Sequence, residues 1–157
     1  MTRVKKVVVL VAVLAAPAGA YSYFGETPDA CFTSGSTTYR VSAAAASPDY
    51  RVRFTDAQTR ADLRIHLMDS PDQADFVLVD DVGGFGTSAC NGPAPVKTIR
   101  IDADAAAPDV TVRLTSDLAA SDYRIYVHSA RFSHQDAAAL LAVMTKMQAR
   151  YHLVGAN

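Results

Sequence analysis

The sequence predicts a mainly β fold: about seven short strands drawn from a 13-residue repeat, set in two pseudo-symmetric halves that form a closed sheet or barrel, with one C-terminal α-helix. Three observations carry this. Sliding the chain by sixty positions lays Tyr39–Ile65 on Ile99–Ile125 without a gap, so that Arg40 meets Arg100, Pro48 meets Pro108, Asp49 meets Asp109, Val52 meets Val112 and Asp62 meets Asp122. Within each half Asp49, Asp62 and Asp75 lie thirteen apart, as do Asp109 and Asp122, and Ser36 and Val96 fall on the same grid. After each grid position apolar residues alternate with polar ones, the pattern of a strand with one face in a core.

The chain has 157 residues, half of them apolar, with 15 basic and 16 acidic side chains, two cysteines and no tryptophan. That composition fits one globular domain and excludes a disordered chain, a disulfide scaffold and a dedicated nucleic-acid binder.

Residues 1–20 read as a signal peptide. Arg3, Lys5 and Lys6 precede the uncharged run Val7–Ala16, and Ala18 and Ala20 supply the small residues before a cleavage site. A retained inner-membrane anchor is the alternative, but Pro17 and Gly19 interrupt the run and a span needs about 20 apolar residues. Cys31 follows Thr27, Pro28, Asp29 and Ala30, which is not a lipoprotein pattern. Cleavage removes three basic groups and no acid, so residues 21–157 carry 12 basic and 16 acidic groups. A periplasmic or secreted domain without a membrane span is expected.

The first half of that domain runs over about 30–88 and holds strands centred on Tyr39 and Val41, on Tyr50, Val52 and Phe54, on Leu63, Ile65 and Leu67, and on Phe76 and Leu78. The last of these is apolar at Val77 and Val79 as well, which predicts cover on both faces. Gly83–Gly86 (GGFG) lacks the Lys and Ser or Thr of a phosphate loop and reads as a hinge. The second half, about 89–132, repeats strands at Ile99 and Ile101, at Val110, Val112 and Leu114, and at Tyr123, Ile125 and Val127. The next grid position, Gln135, opens a helix instead, over about 134–154. Ser133 and Asp136 form a capping-box-like start, and Leu140, Leu141, Val143, Met144 and Met147 follow at helical spacing. A lid over one end of the sheet or a dimer contact would use that face. The aspartate before each strand reads as a cap on turn backbone rather than as a metal ladder.

The units ADLRIHLMDSPDQ and ADFVLVDD, echoed by SDYRIYVHSARFS, resemble an uncharacterised family of short bacterial proteins built from repeats like ADLxVYxVDSRSx. The resemblance covers most of Asp49–Phe132. It implies a small closed β-barrel in which the chain winds through itself as a torus-type knot, and it implies no catalytic residue. The signal-like start, the two cysteines, the Gly-rich insertion and the terminal helix depart from that pattern. Residue geometry alone favours antiparallel neighbours. A connector of about seven residues reaches roughly 23 Å and a six-residue strand is about 20 Å long, so a parallel return needs a nearly straight connector. The resemblance adds a wound, pseudo-twofold barrel containing some parallel pairs as the alternative.

Cys31 and Cys90 hold matched places in the two halves, which predicts a disulfide in an exported chain. Neither lies in a CxxC or beside a basic residue that would activate a thiol. Arg40, Arg51, Arg53, Arg64, Arg100, Arg113 and Arg124 all alternate with the core set. Such a face either holds an anionic envelope component through bidentate contacts or is a solvated face paired with loop aspartates. His66, His128, His134 and His152 show no metal-ligand spacing, and no catalytic, metal or cofactor motif is found. The functional expectation is an exported, non-enzymatic envelope protein, a structural or binding β module for an anionic component or a partner protein, with homodimerisation as a further option. A small periplasmic hydrolase or stress protein, with His66 or His134 as base in a cleft near the Gly-rich hinge, is the alternative.

Overall fold

The computed structural model describes residues 30–57, 60–79, 90 and 92–154. All seven expected strands form, and one more precedes them: β1 Ala30–Ser34, β2 Thr37–Val41, β3 Tyr50–Phe54, β4 Leu63–Leu67, β5 Phe76–Val79, β6 Val96–Ile101, β7 Val110–Thr115 and β8 Tyr123–His128. The helix α1 spans His134–Val154. The added strand β1 forms a hairpin with β2 through a tight turn at Gly35, whose φ of 58° suits a residue without a Cβ.

One eight-stranded sheet results, in the order β1-β2-β6-β3-β7-β4-β8-β5. Strands of the first half alternate with strands of the second, so the two halves are interleaved. Every pairing except β1–β2 is parallel, which corrects the antiparallel arrangement that connector length favours.

The register explains how short connectors achieve this. Ile99 of β6 pairs on one side with Val41, the last residue of β2, and on the other with Tyr50, the first residue of β3. Val52 likewise lies between Ile101 and Val110, Val112 between Phe54 and Leu63, Ile65 between Leu114 and Tyr123, and Ile125 between Leu67 and Phe76. Each strand therefore starts about where its predecessor stopped. The connector only steps across one intervening strand, roughly 10 Å at the usual strand spacing, and never runs back.

These five pivot residues, Val52, Ile65, Ile99, Val112 and Ile125, are all fully buried. Removing each from water is worth about 2 kcal/mol, and the β-branched side chains suit the pleated surface. Around them the sheet curls into a half-barrel. Its edge strands β1 and β5 do not pair with each other among the described residues, so the sheet is not closed by hydrogen bonds. On the core side Phe32 of β1 meets Phe76 of β5 edge to face, with ring centroids 6.3 Å apart.

The helix fills the trough rather than capping one end. It touches β2, β3, β4, β6, β7 and β8. Residues Ala137–Val143 are buried on every side, as expected of a helix segment without a polar face, and four alanines among them let the strands approach closely. The cap read from the sequence is present. Asp136 N donates to Ser133 Oγ at 3.1 Å, and Ser133 N donates to Asp136 Oδ2 at 2.9 Å.

The grid aspartates complete the ladder. The residue before each pivot points its N–H at a neighbour that has not yet begun, and the aspartate opening that neighbour accepts it. Thr98 N donates to Asp49, Arg51 N to Asp109, Arg64 N to Asp122, Thr111 N to Asp62 and Arg124 N to Asp75, all within 2.7–2.8 Å. Four of these aspartates return their own N–H to the carbonyl of the residue they cap. The caps thus act across strands, not within turns. Thr111 is buried, so Asp62→Ala orphans its N–H and costs about 1–3 kcal/mol. Chemical denaturation should show that loss, against no more than about 0.5 kcal/mol for Asp69→Ala on the exposed surface.

Candidate functional site

The outer face of the sheet carries the arginines, and the register sets them in rows. Arg51 lies opposite Arg100, and Arg64 opposite Arg113. Like charges so placed need partners, and the fold supplies several. Arg64 makes two side-chain bonds to Asp122, at 3.1 and 2.7 Å, and Arg124 makes two to Asp75, at 3.0 and 2.8 Å. Two of the capping aspartates therefore bind backbone and guanidinium together.

Arg100 and Arg53 do something different. Arg100 of β6 donates to the carbonyl of Ala45, in the connector that steps over β6 from β2 to β3, at 3.1 Å. Arg53 of β3 donates to the carbonyl of Ala105, in the connector that steps over β3 from β6 to β7, also at 3.1 Å. The crossed strand latches the segment crossing it. Arg100 also pairs with Asp102. Four of the seven arginines thus hold the fold itself, which leaves Arg51 exposed and Arg113 half-buried as outward cations with no side-chain bond among the described residues. Arg40, on β2 opposite Thr98, is half-buried.

These pairs set the carboxyl acidities. The Arg124 guanidinium bond holds Asp75 down at about 2, helped by the Arg124 N–H. Arg64 lowers Asp122 in the same way, and Arg100 lowers Asp102. For Asp49 burial pulls upward, and the bonds from Lys97 and from the Thr98 N–H outweigh it. Arg64 and Arg124 are raised in return.

Cys31 and Cys90 form the disulfide, with Cα atoms 5.3 Å apart and a separation of 59 positions in sequence. It ties the edge strand β1 to the start of the second half. A loop of that size restricts the unfolded chain by about 4 kcal/mol on the chain-entropy argument.

The histidines are dispersed. His66 holds Thr115 O at 3.0 Å through Nδ1 and borders a hollow of about 360 Å³ with Leu67, Leu114, Thr115 and Ser116. A neighbouring hollow of about 410 Å³ is lined by Phe54, Thr55, Asp56, Leu114 and Gln135. His134 opens α1, and His128 is exposed at the end of β8. No group of three or more His, Cys, Asp or Glu is placed to hold a metal ion among the described residues. Residues 1–20, the Gly-rich segment 83–86 and the side chain of His152 lie outside the described residues, so the signal, hinge and hinge-cleft expectations fall there.

One expectation is overturned. Val77 and Val79 of β5 are 45% and 55% exposed, so the outer face of this apolar strand is open. The sequence shows the valines but not that β5 is an edge. Comparison with protein-family models, curated proteins and solved structures finds no match.

The depressed carboxylates fix the sign of the acid response. Their stabilisation is complete above the unfolded value of 3.8 and is lost as pH falls through the folded values, near 2 for Asp75. Stability measured by urea denaturation should fall steadily from about pH 5 towards pH 2. In Asp75→Asn it should be lower at neutral pH and fall less steeply with acid, so an unchanged acid profile would show that the Arg124 pair contributes nothing.

Proposed function

We propose that this chain is an exported, non-enzymatic module of the cell envelope whose role is structural or binding. The Cys31–Cys90 disulfide carries the reading, because such bonds persist in oxidising compartments and are rare where thiols are kept reduced. The basic, apolar and small-residue succession of residues 1–20 supports the same address. No helix among the described residues is long and apolar enough to cross a membrane.

The internal repeat and the resemblance to short bacterial repeat proteins support a scaffold role. The cross-strand caps, the arginine latches and the disulfide all oppose local opening, which suits a module exposed to proteases and changing ionic conditions outside the cytoplasm. An anionic component remains the ligand proposed for the outer face, and Arg51 and Arg113 are the cations oriented to meet it.

Fractionation and intact-mass measurement test this. The protein should be recovered outside the cytoplasm, begin at Tyr21, and resist alkylation until reduced. Recovery in the cytoplasm with two free thiols would reject the export reading. Binding to an anionic polysaccharide should weaken with salt and fall at least several-fold in the Arg51→Ala, Arg113→Ala double variant.

A further inference from the structure

Three neighbouring strands end at one mouth of the half-barrel. Phe54 closes β3, Leu67 closes β4, and Thr115 closes β7, which lies between them in the sheet. The hollows of about 410 and 360 Å³ lie here on either side of Leu114, the first towards β3 and the first turn of α1, the second towards β4. Both are within the range of about 300–1,000 Å³ usual for small-ligand pockets, which favour the mouths of β-barrels. From Phe54 to Leu67 the register covers two strand spacings and four residues, about 16 Å on the diagonal.

The floor of this mouth is apolar. Phe54, Leu67 and Leu114 are half-buried, packed on the core from one side and open to the hollows on the other. The rim is polar. Asp56, Ser116 and Gln135 are exposed, and their side chains bond to nothing among the described residues. His66 Nδ1 faces the Thr115 carbonyl, which can only accept, so Nδ1 carries the proton and Nε2 is left as an acceptor. The rim thus offers a carboxylate, an imidazole nitrogen, an amide and a hydroxyl, and no Lys or Arg lines either hollow.

That set selects among ligands. An anionic group would meet Asp56 without a cation to offset it, and a wholly apolar ligand would bury the same carboxylate unpaired. A ligand rich in hydroxyls satisfies both parts of the site. Its O–H groups donate to Asp56 and His66 Nε2 and pair with Gln135 and Ser116, while its C–H face covers Phe54 and Leu114. The length of the mouth suits several linked rings rather than one.

We propose that the mouth formed by the ends of β3, β7 and β4 binds a short stretch of neutral carbohydrate chain. This goes beyond the anionic ligand of the outer face, because none of the outer arginines lines either hollow. It is tested on purified protein, so a failure of export or of anion binding would leave it standing.

The probes are three neutral tetrasaccharides, cellotetraose, maltotetraose and N-acetylated chitotetraose, titrated into the isotope-labelled, disulfide-bonded chain. At least one should bind saturably and shift the amides of Thr55, Leu114, Thr115 and Gln135 while leaving that of Lys97 unmoved. Its affinity should be the same at low and high salt, unlike that of an outer-face ligand. The corresponding monosaccharide should bind at least tenfold more weakly, which separates a chain segment from a free single sugar. The Asp56→Ala, Gln135→Ala double variant changes two exposed residues and should keep its urea midpoint while losing at least tenfold in affinity. Absence of saturable shifts with all three probes at tens of millimolar, shifts confined to the outer face, or unchanged affinity in the double variant would overturn the proposal. So would equal binding by the monosaccharide.

Discussion

The stagger of the strands is the constraint from which the rest of this structure follows. Because Val41 and Tyr50 flank the same residue, Ile99, the chain can enter a parallel neighbour without retracing the strand it has just left. A parallel crossover ordinarily needs a dozen or more residues, since the chain must return to the level where it began. Here the return distance is removed. The five pivots where arriving and departing strands meet are also the five residues of the sheet whose burial is complete. The hydrophobic term and the topology are therefore fixed by the same side chains.

Stagger has a cost in hydrogen bonding, and the aspartates meet it. Each departing strand begins too late to pair the N–H just before the pivot, and at the buried Thr111 an uncapped N–H would be expensive. A carboxylate at the first position before the strand reaches that N–H. At Asp122 and Asp75 it also receives a guanidinium from the same residue. The arginines that follow the pivots, Arg53 and Arg100, hold the connectors crossing above them. A polar pattern that looks like a ligand surface in one dimension is in large part the fastening of two interleaved half-chains.

Much of this was legible in the sequence. The alternation placed seven strands, Ser133 and Asp136 placed the helix start, and the matched cysteines placed the disulfide. Strand direction was not legible, because Tyr50, Val52 and Phe54 alternate identically whether their neighbour runs up or down. Short connectors do not force antiparallel pairing here, because consecutive strands begin at staggered levels and not at one level. The strand at Ala30–Ser34 lies ahead of the thirteen-residue grid, so the repeat does not show it, although Gly35 and Ser36 mark a hairpin turn. The helix start is legible in the sequence, but its seat in the trough, as opposed to a lid or a dimer contact, is not. Only the three-dimensional curl shows that its alanines, Ala137, Ala138, Ala139 and Ala142, line the bottom of a trough. Of the candidate surface, the composition of the arginine set was visible, while the partner of each arginine depended on register.

The interleaved register is tested most directly by interstrand nuclear Overhauser contacts in the isotope-labelled protein. The account predicts contacts of the parallel type from Val52 to both Ile101 and Val110, and from Ile65 to both Leu114 and Tyr123, linking residues roughly fifty apart in sequence. Close Hα–Hα contacts between β3 and β4, the mark of an antiparallel pair of consecutive strands, would contradict it.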